Sequence, residues 1–501
     1  MKTIIDSIIK NRYFSYILLF VIMLIALFLR IKSINTDVWY DEVFTVITIQ
    51  KDWLDMFKTI TADAVHPPTY YILIKLWATI FSYSEVSLRS FSIFFGISLL
   101  PIVFYIGQIL SVKGDRYNII GLLSSLVLAV SPFFIQYSIE IRSYMFVTFL
   151  GFTLLAIFLK INKSIKIFDK TNLVYWILFI ILFIFTIYTH YLNALLLTGY
   201  IIAIFLRIVD ENNQWGIKHF WMYAWTIFFI ACFGVIILSY KLGISEILAS
   251  RSYFWMGETN LTTIFRSLGA YLFGVYSQYP GVPGIIEFNY PIKVINVSFI
   301  IFTIAIISFV SIFKDKFKDK VTINNLVSIT SITLVPLIVF VITSSFGVTI
   351  LIERYAIIVG GYLIIWLVYT LYQNLNMKIS IFIVIYLLLL LIHPGVPSLD
   401  KYSELVGKIN ELSVQQNIKN IVVDGKQDFV VLKYNLGDKY TVKVLSKEHE
   451  SGWALINVED EVSNLDRCIN SCIYVTENNV DESNKLQKIG DINNYIIYLI
   501  K

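Results

Sequence analysis

Apolar runs about twenty residues long recur down this chain, and the loops between them alternate in charge. A run of that length is what an α-helix needs to cross the roughly 30 Å hydrocarbon core of a bilayer. The 501 residues are 57% hydrophobic and only 15% charged, with mean hydropathy +0.72. A soluble chain could not cover so much apolar surface, so the membrane class is the one that fits. The small net charge of +5 is a topology signal and not a nucleic-acid footprint, because the basic residues sit in short inter-span loops.

We count about eleven spans, each of the length a bilayer core requires. They centre near Val21, Leu100, Leu126, Phe152, Ile181, Ile202, Phe229, Ile304, Leu334, Leu363 and Tyr386. The loops "SVKGDR", "LKINKSIKIFDK", "RIVDENNQWGIK", "FKDKFKDK" and "QNLNMK" fall at every second turn, and the positive-inside rule places them in the cytoplasm. The first run, Phe14 to Arg30, follows Lys2, Lys10 and Arg12 and lacks a small-residue cleavage site. It reads as a retained signal anchor with a cytoplasmic N-terminus. The alternation then requires residues 32–88 to lie wholly outside. Within them "TYYILIKLWATIF" is too short for a span and carries Lys75, so it is expected as an interfacial helix.

From about Pro397 the pattern changes to short β-rich runs, "IKNIVVDG", "DFVVLKYNL" and "YTVKVLS", broken by Gly, Asp and Asn. "SELVGKINELSVQQN" and "LINVEDEV" supply helices or further strands. The fold expected is therefore mainly α and polytopic. Residues 1–396 form the transmembrane domain, and residues 397–501 form a small extracytoplasmic α/β domain. Cys232 sits in an apolar run and reads as packing. Cys468 and Cys472 leave a disulfide open.

On this topology the unusual polar residues gather at the outer ends of spans. They are Asp41 and Glu42 in "WYDE", His66 in "HPPTYY", and Glu140, Arg142 and Tyr144 in "SIEIRSYM". His190 and Tyr191 follow in "YTHY", then Arg266, and last Glu353, Arg354 and Tyr355 in "ERY". Each has a structural reading: acids favour helix N-termini, Pro-Pro presets a helix entry, and Glu–Arg neighbours snorkel to an interface. Yet a charge in a bilayer costs at least about 2.5–3.5 kcal/mol, which makes several on one face harder to explain as packing. Chemically the set fits together. A carboxylate in a partly dry pocket takes a proton from an attacking hydroxyl. Arginines at the membrane surface hold a phosphate by charge-assisted hydrogen bonds. No P-loop or GxGxxG pattern supports a nucleotide site.

"WYDE", "HPPTYY", "SIEIRSYM", "YTHY" and a late "ERY", in that order after an anchor span, resemble the polyprenyl-phosphate-dependent glycosyltransferases. That family includes protein O-mannosyltransferases and bacterial aminoarabinose transferases and has the membrane-embedded GT-C fold. The resemblance covers roughly the first 370 residues. It implies that Asp41 is the catalytic base and Glu42 its orienting neighbour, with interfacial helices in the first outer loop. It also implies that Arg142, with Arg354 as a second candidate, holds the phosphate of a polyprenyl-phosphate sugar donor, and that transfer inverts the anomeric centre. His66, Glu140, Tyr144, His190, Tyr191, Glu353 and Tyr355 are the remaining donor- or acceptor-binding candidates. No metal ligand is assigned and no obligatory metal is implied; a divalent cation stays open. The large outer-loop insertion of the protein mannosyltransferases has no counterpart here, which favours the bacterial type. The acceptor is a glycan, lipid or protein. An Ile-, Lys- and Asn-rich composition points to a bacterial source and hence to the plasma membrane. The alternative is a transporter or flippase of lipid-linked sugars, which would place its ionisable residues on broken helices at mid-membrane.

Overall fold

The computed structural model describes residues 13–63, 66–111, 117–212, 261–273, 303, 306, 320–345, 350, 353–374, 401–445, 461–462, 472–476, 486–492 and 495–500. The spans expected near Phe229, Ile304 and Tyr386, and the residues Cys232 and Cys468, lie outside them, as does the side chain of Arg266. In chain order the helices are α1 (Phe14–Lys32), α2 (Tyr40–Gln50), α3 (Trp53–Asp63), α4 (Pro68–Ile80), α5 (Glu85–Leu110) and α6 (Ile119–Val130). Then come α7 (Pro132–Ser138), α8 (Tyr144–Asn162), α9 (Leu173–Ile187), α10 (Leu196–Asn212), α11 (Leu261–Phe273), α12 (Lys320–Ser345), α13 (Ile357–Asn374), α14 (Lys401–Gln416) and α15 (Lys426–Leu436). Contacts divide the chain into two units. One holds residues up to Ile34 together with Ala64–Val396; the other joins Asn35–Asp63 to Pro397–Lys501.

The first unit is a helical bundle. Among the described residues, 6 helices are long and apolar enough to span a membrane, or up to 7 if the bent pair α6–α7 is one span. The protein is thus a multi-pass membrane protein. Helices stand at the expected centres Val21, Leu100, Leu126, Phe152, Ile181, Ile202, Leu334 and Leu363. Large side chains such as Phe20, Phe28, Ile180 and Ile184 remain exposed on α1 and α9, as lipid-facing residues do. "TYYILIKLWATIF" forms α4, 13 residues opened by Pro68 at its first turn, where a missing N–H costs nothing.

Small residues let the helix backbones approach closely. A Cβ on Gly199 of α10 would meet the Cα of Ile332 in α12 at 2.8 Å. Tyr362 of α13 donates its hydroxyl to the Gly151 carbonyl of α8 at 2.5 Å, and Tyr200 of α10 lies 3.0 Å from the Tyr362 oxygen. That bond leaves Tyr200 as the donor to Tyr362, so three helices share one buried hydroxyl chain. Arg30 is buried on α1 because its guanidinium donates to the Ala26 and Ala129 carbonyls at 3.1 and 2.9 Å. The α6–α7 bend of 64° falls at Ser131-Pro132. Proline disfavours helical geometry in the residue before it, and Ser131 is extended, with φ −60° and ψ 121°.

The second unit carries a six-stranded sheet: β1 (Asn420–Val423), β2 (Thr441–Leu445), β3 (Glu461–Val462), β4 (Cys472–Thr476), β5 (Leu486–Ile492) and β6 (Tyr495–Ile500), in the order β3-β2-β1-β4-β6-β5. The pairs β1–β2, β2–β3 and β1–β4 are parallel, while β6 runs antiparallel to both β4 and β5. Strands β4 and β6 are buried along their whole length, which explains why "YIIYLI" lacks alternation. Cys472 opens β4 and is disulfide-bonded.

One expectation is corrected here. "DFVVLKYNL" is not a strand; it lies in α15. Its buried Phe429, Leu432 and Leu436 recur at helical spacing. The topology demands this as well: β1 and β2 are parallel neighbours, so the chain between them has to cross back over the sheet, usually as a helix.

Candidate functional site

The bend at Pro132 sends the short α7 away from the line of α6, and after a five-residue link, 139–143, the chain enters α8. In the linking turn Ile139 and Ile141 are buried in the core. Ser92 of α5 pins the same turn: its hydroxyl lies 2.7 Å from the Glu140 carbonyl and 3.4 Å from that of Arg142. Arg142 is thereby fixed beside the N-terminus of α8, where unpaired backbone N–H groups and the helix dipole favour an anion.

Around Arg142 the structure gathers residues from four distant stretches. Its Nη2 lies 2.7 Å from Nε2 of His66. A guanidinium has no acceptor, so the arginine is the donor of this contact. The Arg142 guanidinium also sits 5.8 Å from the Tyr144 ring centroid. Tyr144 in turn neighbours the His190 ring at 6.3 Å, and His190 neighbours Tyr355 at 5.3 Å. Arg354 closes the series, 5.5 Å from the Tyr355 ring. Both cation–aromatic pairs fall within the roughly 6 Å at which a ring face attracts a cation.

His190 reports the electrostatics of this cluster. It lies between α9 and α10 in extended conformation, with its Nδ1 buried and unbonded. Its pKa is pushed down to about 3, first by burial and then by electrostatic interaction with His66, Arg142 and Arg354. Another cation is unwelcome here, and an anion would be stabilised.

The two carboxylates expected in this region are otherwise engaged. Glu140, buried, accepts from Gln136 Nε2 at 2.8 Å. Glu353, also buried, accepts from Ser267 of α11 at 3.3 Å. Tyr191 opens a short 3-10 turn, Tyr191–Leu195, outside the chain of ring contacts. Among the described residues no group of three or more His, Cys, Asp or Glu is placed to hold a metal ion. Ser92, Gln136 and Ser267 carried no sequence signal, being ordinary polar residues within apolar stretches.

Asp41 and Glu42 belong to the second unit. They occupy the first turn of α2, where acids complement the helix dipole. Glu42 is fully buried and reaches back to accept from the Trp39 backbone N–H at 3.4 Å, the reciprocal half of a capping box. Asp41 is half-buried, and its carbonyl accepts from the Thr45 hydroxyl at 3.0 Å. Upstream, Asp37 serves another helix. Its carboxylate accepts from the backbone N–H groups of Tyr402 and Ser403, each at 2.7 Å, and from the Ser403 hydroxyl. The segment carrying the acidic pair is thus tied to the N-terminus of α14.

Sequence comparison gives no family model and no curated protein that matches the chain. Comparison of folds does. ArnT from Cupriavidus metallidurans, bound to undecaprenyl phosphate, superposes with a TM-score of 0.50 at 11% identity, covering 98% of each chain. The oligosaccharyltransferase of Archaeoglobus fulgidus in its apo form gives a TM-score of 0.47 at 10% identity, over 84% of this chain and 64% of that one. ArnT is matched over 98% of its length, so the fold expected from "WYDE" and "HPPTYY" is the fold observed: this chain has the GT-C fold.

Proposed function

We propose that the protein is an integral-membrane glycosyltransferase. It moves a sugar from a polyprenyl-phosphate donor to an acceptor hydroxyl on the extracytoplasmic face, with inversion at the anomeric carbon. The observation that carries this reading is the aromatic-lined cluster of His66, Arg142, His190 and Arg354, in which burial first, and the neighbouring charges after it, keep His190 neutral. Such a cluster beside a helix N-terminus suits a phosphate that is both bound and discharged as a leaving group. The undecaprenyl phosphate bound by ArnT, which shares the fold, supports a lipid phosphate as that group.

In this reading the acceptor oxygen attacks the anomeric carbon as its proton passes to the Asp41 carboxylate. The bond from the anomeric carbon to the phosphate oxygen breaks, and the electron pair leaves on the polyprenyl phosphate, where Arg142 and Arg354 stabilise it. Glu42 holds the first turn of α2, and with it the Asp41 backbone, through its bond to Trp39. The N-terminus is cytoplasmic and the α/β unit extracytoplasmic.

The test compares membranes carrying wild type, Asp41→Asn or Arg142→Ala, each given radiolabelled polyprenyl-phosphate hexoses and native envelope acceptors. The expected result is wild-type transfer that collapses in Asp41→Asn, with a raised KM for the donor in Arg142→Ala. Undiminished transfer in an equally expressed Asp41→Asn would move the base elsewhere, Glu140 being the next carboxylate to test. Wild-type movement of label across the bilayer without transfer would replace the enzyme by a flippase.

A further inference from the structure

A cavity of about 360 Å³ opens on the surface of the helical bundle, between α5, α8 and α9. Its floor is one face of α8, with Thr153, Ala156 and Lys160 at helical spacing, and its walls are Pro101 and Tyr105 of α5 and Tyr175 of α9. The size falls within the about 300–1,000 Å³ typical of small-molecule sites. Two small residues make the floor concave. Thr153 to Lys160 spans seven residues of helix, a trough of roughly 10 Å along the bundle axis. Its lining is apolar along Pro101, Ile102, Ala156 and Ile157, and its basic end coincides with the "LKINKSIKIFDK" loop.

Lys160 is exposed in the last turn of α8, and Lys163 follows one turn on. Among the described residues neither has a carboxylate partner, although Arg207 of α10, which donates to the Ser164 and Ile165 carbonyls, takes both Asp210 and Glu211. The Lys163 pKa is lowered, first by partial burial and then by repulsion from Lys160. Two like charges held together without a counter-ion are relieved by an anion. Tyr105 and Tyr175 add phenol hydroxyls to the walls, of the kind that sit at headgroup depth.

We propose that this trough binds a diacyl phospholipid with a net negative headgroup, one acyl chain along Thr153 and Ala156 and the phosphate on Lys160 and Lys163. Filling an apolar trough from a bilayer gains little, because lipid tails are as apolar as the trough itself. Selectivity therefore comes from the head. Each lysine near an anionic lipid contributes a preference of about fivefold, equivalent to about 1 kcal/mol. The site involves neither Arg142 nor Asp41, so it stands or falls separately from the proposed transfer.

The test is native mass spectrometry of the full-length protein in neutral detergent, titrated with phosphatidylglycerol or phosphatidylcholine. Wild type should retain one phosphatidylglycerol at least about fivefold better than phosphatidylcholine. Lys160→Ala with Lys163→Ala should bring the ratio close to one, and Ala156→Trp should reduce retention of both lipids. Lys58→Ala, at an exposed ion pair with Asp55, should leave the ratio unchanged. Because the lysine variants alter exposed positions, they keep the test decisive even if Ala156→Trp fails to fold. Equal retention of the two lipids by wild type, or a preference that survives loss of both lysines, would overturn the proposal. So would undecaprenyl phosphate retained more tightly than phosphatidylglycerol in a Lys160-dependent way, which would reassign the trough to isoprenoid lipids.

Discussion

Replacing Asp37 by alanine should loosen the segment that carries Asp41 from the α/β unit. The carboxylate takes two backbone N–H groups in the first turn of α14 and the Ser403 hydroxyl, the work of a helix cap supplied from elsewhere in the chain. Hydrogen bonds to a charged group contribute about 1.5–3 kcal/mol each, but Ser403 lies near solvent, which lowers the return. Loss of a single cap costs about 0.5–2 kcal/mol, and the charge–dipole interaction adds about 0.3–1. The sum for this partly exposed cap is about 0.8–3 kcal/mol. At about 1.4 kcal/mol per tenfold, local opening should become roughly 4–150 times more frequent. Hydrogen exchange read by mass spectrometry reports it directly, since the N–H groups of Tyr402 and Ser403 are the ones protected. Asp37→Ala should speed exchange at the start of α14 by that factor, and Asp37→Asn, which keeps an acceptor, by less. A change below about threefold, under about 0.7 kcal/mol, would refute the claim that Asp37 holds these two segments together.

Three further outcomes follow from the packing and electrostatics. His190 has a depressed pKa, so below pH 6.5 the unfolded chain takes up a proton that the native state refuses down to about 3; stability should fall with pH across that window and be flat above it. His190→Gln should flatten the acid-side slope of the thermal midpoint, and an unchanged slope would contradict the burial argument. Gly107→Ala should destabilise the contact of α5 with α6, because a Cβ there would fall on the backbone of Gly121; a lowered thermal midpoint in detergent checks it. Asp428 accepts from the hydroxyls of Tyr402, at 2.7 Å, and Tyr495, whose pKa is held above the ordinary range first by burial, then by Tyr402 and by Asp428. Asp428→Ala should strand two buried phenols and destabilise the second unit by about 2–4 kcal/mol, measured by denaturant unfolding of the full protein.

The membrane helices were legible because hydrophobic length and loop charge speak without reference to tertiary contacts. Three members of the candidate cluster stood out for the same reason: Arg142, His190 and Arg354 are conspicuous at the ends of apolar runs. The pairings were not. His66 meets Arg142 across 76 positions, and no local pattern foretells it. Glu140 and Glu353 look like free acids in a string of letters; only packing reveals Gln136 and Ser267 beside them. "DFVVLKYNL" misled because four consecutive apolar residues satisfy a buried strand and a buried helix equally, and the parallel pairing of β1 with β2 decides the matter. The attachment of Asp37 to α14 joins positions 365 apart, farther than any sequence pattern reaches.

That attachment also sets an order of assembly. Residues 35–63 leave the ribosome early, yet the strands and helices that complete their unit begin only after residue 397. The loop carrying Asp41 must wait for residues 397–501 to be translated before its supporting surface exists. Closing so long an interval is slow and entropically costly. A nascent or prematurely ended chain would hold its helical bundle but leave the acidic pair unsupported. Maturation of that loop therefore waits on residues 397–501, and loss of those residues disables a loop more than 300 positions upstream.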